Sequence, residues 1–299
     1  MSYAIGIDIG GTNIKYGIAD ADGGIVYEGL KATGRPLENL KKVIAACRQE
    51  ALLRRLVIEG IGIGVPAILD GEIVTGCGEN LPEIEGLALG VLLQQYAQLP
   101  VVVENDANLM GLAEQRFGAA RGMIDVVFLT VGTGIGGALV LNGRLYGGHH
   151  NRGAELGHIR VDHPGLPCGC GASGCLEAHA SVKALIRDYE EEGGEKGADG
   201  RYVFARYLEG DGPAVKAMTR HFDYLGSGIA SLINIFSPQK VVIGGGITEA
   251  GEDYIHPIRQ RALSLAMKET AAHTLIEGAL LGNKAGFLGA VARVFDGVF

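Results

Sequence analysis

Val101-Val102-Val103-Glu104-Asn105-Asp106 decides how this chain folds, because the segment after it, 107–117, changes period. Three β-branched residues behind Pro100 read as a strand buried on both faces. Leu109, Leu112, Ala113 and Phe117 then fall along one side of a helix. Asp106 sits where the buried strand gives way to the helix, the end of an open α/β sheet at which ligands bind. Two readings are open for it: a helix cap, since Asn and Asp are preferred there, or a carboxylate facing a ligand.

Working back from Asp106, 3–9 is a strand, Gly10-Gly11-Thr12 a turn and 14–19 a return strand. Asp22-Gly23-Gly24 turns again into 25–27. A helix is predicted over 36–57, with Leu37, Leu40, Val43, Ile44 and Cys47 inward, then a strand over 61–65 and a helix over 87–99. Forward from it the pattern restarts. A strand over 126–131 meets Gly132-Thr133-Gly134, the return strand runs over 138–141, and Asn142-Gly143 is a strong hairpin signal. Strand, glycine turn, strand, turn thus occurs twice, as in a duplicated α/β domain. Helices are expected over 175–191, 213–236 and 284–295, a strand over 241–243, and a loop without function over 193–200. Gly244-Gly245-Gly246 opens another helical stretch.

With 47% hydrophobic and 20% charged residues the chain of 299 is globular and long enough for two domains. Its net charge of -8 argues against nucleic acid as main partner. The run 126–141 is too short to span a bilayer, so no membrane is expected. No signal peptide is expected, and three of the five cysteines lie within 168–175, which suits a reducing cytoplasm better than a disulfide framework.

Gly132-Thr133-Gly134-Ile135-Gly136-Gly137 matches the dinucleotide fingerprint in letters, but a strand follows where that fold needs a helix. The loop can still offer consecutive N–H groups and the Thr133 hydroxyl to an anion, or be a plain tight turn. In Asp8-Ile9-Gly10-Gly11-Thr12-Asn13-Ile14-Lys15, two glycines admit a phosphate, Thr12 and Lys15 can donate to it, and Asp8 could hold Mg²⁺ through water. The alternative makes Asp8 a sheet-edge residue and Lys15 a solvated charge. No P-loop motif occurs. His158 with Cys168, Cys170 and Cys175 forms a Cys₃His set that suits structural zinc, against a cluster of buried thiols. A metal that fixes His158 would also steady Glu155 and Glu177. Cys47 and Cys77 read as small hydrophobes.

Taken together, Asp8-Ile-Gly-Gly-Thr, Glu104-Asn105-Asp106, Gly132-Thr-Gly, Glu155-Leu-Gly-His158, Cys-x-Cys-x₄-Cys and Gly244-Gly-Gly resemble the ROK family. This is the bacterial sugar-kinase and repressor group of the actin/hexokinase-like superfamily. The resemblance implies two ribonuclease-H-like α/β domains, 1–118 with 285–299 and 119–284, with sugar and ATP in the cleft between them. It implies a hexose kinase in which Asp106 takes the proton of the 6-hydroxyl. Asn80, Asn105, Glu155, His158 and Glu177 would bind the sugar. Asp8, Gly10, Gly11, Thr12, Lys15, Gly132, Thr133, Gly134, Gly244 and Gly245 would bind ATP. Glucose is the expected substrate; N-acetylmannosamine, N-acetylglucosamine and fructose are alternatives, as is a silent sugar sensor. Relatives usually have Pro-Gly where Pro66-Ala67 stands, which bears on the choice of sugar. With the first strand at residue 3, the repressors' DNA-binding segment is not expected, and the resemblance suggests a homodimer or a dimer of dimers.

Overall fold

The computed structural model describes residues 2–76 and 81–297. Asn80 and Cys77 lie outside the described residues. The strands are β1 (Ser2–Ile9), β2 (Asn13–Asp20), β3 (Ile25–Ala32), β4 (Val57–Val65), β5 (Ile68–Asp70), β6 (Ile73–Thr75), β7 (Val101–Asn105), β8 (Val126–Val131), β9 (Ile135–Leu141), β10 (Arg144–Leu145), β11 (Lys240–Gly244) and β12 (Leu275–Gly278). The helices are α1 (Pro36–Arg54), α2 (Leu89–Ala97), α3 (Asp106–Phe117), α4 (Leu176–Ala180), α5 (Val182–Glu191), α6 (Gly200–Leu208), α7 (Gly212–Phe236), α8 (Glu252–Leu265), α9 (Lys268–Ala271) and α10 (Ala285–Phe295).

Two five-stranded sheets carry the molecule, ordered β3-β2-β1-β4-β7 and β10-β9-β8-β11-β12. In each, an antiparallel hairpin (β1 with β2, β8 with β9) continues into parallel strands, β4 and β7 in one, β11 and β12 in the other. The repeat seen in the sequence is therefore a repeat of topology. Separate apolar cores back the sheets, one built on Ile5, Ile7, Ile61 and Ile63, the other on Val127, Leu129, Val241 and Ile243. Burial of such side chains contributes roughly 1.5–3 kcal/mol each.

The first sheet has a helix laid directly on it. A Cβ on Gly6 would come 2.0 Å from the Phe287 carbonyl oxygen, and one on Gly62 2.0 Å from that of Ala290. Glycine in β1 and β4 is thus what lets α10, from the far end of the chain, reach the sheet. α3 packs between α10 and β9, touching both halves.

Several boundaries differ from expectation. α1 stops at Arg54 because Arg55 is left-handed (φ 56°), and Val57 begins β4 by pairing with Ser2. The helix expected over 175–191 is two, parted at the extended Ser181, whose Oγ accepts from Ala184 N–H. The loop over 193–200 leads into α6, capped by Asp199. The β5–β6 hairpin and β12 were not expected; both are short, and partners elsewhere in the fold define them. Among the described residues no helix is long and apolar enough to cross a membrane.

Candidate active site

The register brings two carboxyls to one sheet edge. Asp8 of β1 pairs with Gly64 of β4, and Gly64 with Glu104 of β7, one residue short of the β7–α3 junction. A Cβ on Gly64 would lie 3.5 Å from Asp8 Oδ1 and 3.7 Å from Asp106 Cα, so only a glycine separates the two acids. The capping question resolves on Asn105: its Oδ1 accepts from Asn108 N–H at 3.1 Å, and its Nδ2 donates to the Ala67 carbonyl. Asp106 spends only Oδ1, on the N–H of Ala107 at 2.7 Å. Among the described residues its other oxygen has no protein partner.

Burial, with the charges of Asp8 and Glu155 added, pushes the Asp106 carboxyl up to about 7, against the pull of the Ala107 N–H. Burial pushes Asp8 up to about 6, and nearby Lys15 acts in the opposite sense. Burial also raises Glu155, with His158 opposing and Glu177 reinforcing. A carboxyl near 7 is poised to accept a proton at neutral pH.

Of the expected sugar ligands, Asn105 and Glu155 share a cavity with Asp106, and His158 and Glu177 do not line it. Asn105, Asp106, Gly136, Asn151 and Glu155 line a cavity of about 70 Å³, with Ala67 and Ile68 as its apolar wall. Beyond Asp8 the cleft widens to about 410 Å³, bordered by Lys15, Thr130, Gly244, Gly245, Thr248 and Asn283. A further 270 Å³ lies beside Gly132, Thr133, Arg201 and Ile247. Both spaces border Gly246.

The glycines divide into two kinds. Gly245 is required by the fold, at φ 104° with the Val131 carbonyl 2.0 Å from where a Cβ would stand. Gly11 and Gly246 would meet nothing, and Gly132 nothing nearer than 4.0 Å, so at Gly246 and Gly132 the missing side chain leaves cleft open. Gly10 and Thr12 are fixed by Thr33, whose hydroxyl donates to Gly10 O and whose N–H donates to Thr12 O. Lys15 Nζ is held at the cleft by Asn283 Oδ1, 2.9 Å away.

His158, Cys168, Cys170 and Cys175 converge, their ligand atoms all within 4.8 Å of one another. Cys170 and Cys175 sulfurs lie 3.7 Å apart, and Cys168 Sγ is 3.6 Å from His158 Nδ1. A tetrahedron with zinc bonds of about 2.3 Å to sulfur and 2.0–2.1 Å to nitrogen has edges of about 3.75 and 3.55 Å. The donor set fits that ion in type, and these two separations match its edges. The Ala172 N–H draws the Cys170 thiol below its usual range. Glu177 joins this cluster to the glycine loop: Oε1 is 3.7 Å from Cys168 Sγ, while Oε2 accepts from Ile135 N–H at 2.9 Å. A Cβ on Gly134 would come 2.4 Å from that Oε2.

The family model for the ROK family matches residues 4–296. The chain belongs to the ROK family. It is 35% identical to the glucokinase of Thermotoga maritima, over 97% of this chain and 96% of that one. It is 32% identical to the N-acetyl-D-glucosamine kinase of Pectobacterium atrosepticum, over 95% and 96%. Among solved structures it resembles a ROK family glucokinase from Streptomyces griseus in complex with glucose and AMPPNP. That likeness has a TM-score of 0.82 and 34% identity over 99% of this chain and all of that one. The α/β architecture of two sheets is therefore that of ROK glucokinases.

Several cleft residues of this ROK chain carry no sequence signal. Asn283 lies on a short 3₁₀ turn, Thr248 is turned inward by its bond to Gly245 O, and Arg201 opens an unforeseen helix. Asn151 donates to Glu104 Oε1 at 2.8 Å. Glu104 also accepts from Asn108 Nδ2 and the Asn105 N–H, so the glutamate of the Glu-Asn-Asp motif organises its neighbours from a buried position.

Proposed function

We propose that this chain is an ATP-dependent hexose kinase that transfers the γ-phosphate to the 6-hydroxyl of glucose. The observation that carries the reading is the Asp106 carboxyl, raised to about 7, on the wall of the small cavity and one glycine away from Asp8 of the wide glycine-lined cleft. Asp106 orients the hydroxyl and takes its proton. Phosphoryl transfer asks little more of a protein than position and charge. The turns at Gly10, Gly11 and Thr12 and at Gly132, Thr133 and Gly134 grip the triphosphate, with Lys15 adding a cation. Gly244 and Gly245 set the floor of the cleft. Asp8, whose ionisation burial resists, suits a second cation and would hold Mg²⁺ through water; that ion supplies charge neutralisation for the phosphates.

Asn105, Glu155 and His158 position the sugar, with Asn80 and Glu177 assigned to the same set. With His158 Nδ1 turned to the sulfurs, Nε2–H is left to donate to a hydroxyl. His158, Cys168, Cys170 and Cys175 would hold a structural zinc ion, which would fix that tautomer. Residues 1–118 with 285–299 and residues 119–284 act as the two closing halves. The compartment we assign is the reducing cytoplasm, which keeps three neighbouring thiols unpaired.

Glucose is favoured by the likeness to the Thermotoga maritima glucokinase and to the Streptomyces griseus glucokinase in complex with glucose and AMPPNP. In an ADP-formation assay over a hexose panel, glucose should exceed N-acetylglucosamine, N-acetylmannosamine and fructose in kcat/KM by at least about tenfold, the range one fitted apolar contact gives. Preference for an N-acetyl sugar would reassign the substrate. Sugar binding without any turnover would make the protein a sensor.

A further inference from the structure

Among the described residues the chain passes between the two sheets twice, over 118–125 and over 279–284. Both passages are tied to one side chain. Glu114 of α3 is fully buried. Its Oε2 accepts from Ala119 N–H at 2.8 Å, and its Oε1 accepts from the N–H groups of Leu280 and Leu281 at 3.0 and 2.8 Å. Gly118 makes room for this, since a Cβ there would stand 2.0 Å from Oε2. From the other half, buried Lys240 donates to the Ala119 carbonyl at 2.7 Å while paired with Glu277. Residue 119 is thus gripped at its N–H by one half and at its carbonyl by the other.

A buried carboxylate that loses its donors is costly, so these bonds survive only motions that turn about them. Such a motion is required. The 70 Å³ beside Asp106 admits about five to seven waters at 10–15 Å³ each, fewer than the non-hydrogen atoms of a hexose. The walls come from both halves, so they part to admit sugar and close again. We propose that Glu114 is the pivot of that closure, a positioning residue that fixes the second half relative to Asp106. The need for closure rests on the kinase reading; the pin itself does not. Glu114 lies eight residues beyond Asp106 on α3, about 12 Å along a rigid helix. At that radius an angular error of about 5° displaces the reacting groups by about 1 Å, enough to cost about 10²-fold in rate.

The test is Glu114→Gln, which turns an NH₂ group toward backbone donors, compared with the wild-type full chain in two readouts. Hydrogen exchange should accelerate together at Ala119, Leu280 and Leu281, by at least about tenfold. The kcat should fall by about 10–100-fold while the calorimetric Kd for glucose stays within about threefold. Exchange unchanged at either passage overturns the pivot, as does a full kcat per folded molecule with only Tm lowered, or a kcat loss matched by loss of glucose binding. Wild-type protein that never phosphorylates a hexose would refute the kinase reading, and the exchange comparison still decides the pin. If the glutamine variant does not accumulate, Lys240→Met carries the test: faster exchange at the Ala119 passage and a kcat loss of about 3–10-fold at unchanged glucose Kd support it, and neither change overturns it.

Discussion

Replacing Asp106 with asparagine is expected to lower kcat by roughly 10²–10⁴-fold or more while glucose affinity stays within a few-fold. The amide keeps the size and the bond to Ala107 N–H but accepts no proton. The wild-type kcat/KM should fall about tenfold per pH unit below about 7, following the Asp106 carboxyl, and the variant should lose that limb. Stability moves the other way. An aspartate in the unfolded chain titrates near 3.9, so this raised group adds stability fully below that pH and loses it as pH rises through about 7. At pH 8 the folded wild type therefore carries the cost of a buried charge next to Asp8 and Glu155. Removing it should stabilise the ligand-free variant by roughly 1–3 kcal/mol, allowing for the water that reaches a half-buried group, or a few degrees in Tm. A variant with most of its kcat, or one that melts lower at pH 8, would count against Asp106 as the base.

The second large effect is expected at the Cys₃His cluster. Cys170→Ser is expected to cut bound zinc well below one per chain and to weaken glucose binding by about 10–100-fold, the usual cost of disturbing groups that orient a metal site. From sequence alone only the sugar side is at risk. The bonds of Glu177 change that expectation, because the same side chain that touches Cys168 holds the N–H of Ile135 beside the Gly132–Gly134 turn. Affinity for an ATP analogue should therefore fall too, by several-fold. Metal analysis and calorimetry with each ligand check this. Zinc-free protein that binds glucose normally would reduce the cluster to a thiol-rich turn.

Much of this was legible in the chain. Buried strands are near-continuous apolar runs, so β1, β7, β8 and β11 announce themselves, and the repeated glycine turn exposes the duplication. The grouping of His158 with Cys168, Cys170 and Cys175 was readable because they lie close in sequence, and the fold brings the four side chains together. What stayed hidden depends on partners distant in sequence. Val57 joins β4 only because Ser2 lies alongside, and Asn283 reaches the cleft only because α10 returns to the first sheet. On paper Asp106 could be the helix cap or a carboxylate facing a ligand; the bond from Asn108 N–H to Asn105 Oδ1 gives the cap to Asn105. Glu114 looked like any helical glutamate, since nothing local says that residues 119, 280 and 281 meet on it.

The most direct measurement is the identity of the product. Purified protein given ATP, Mg²⁺ and glucose should yield one ADP per sugar and a single phosphorylated species, which phosphorus and carbon NMR would place at the 6-oxygen. The same mixture with Asp106→Asn should give essentially none over the same time. Phosphate released as inorganic phosphate, phosphorylation at another hydroxyl, or full product from the variant would contradict the assignment of Asp106 as the base that delivers the 6-hydroxyl to ATP.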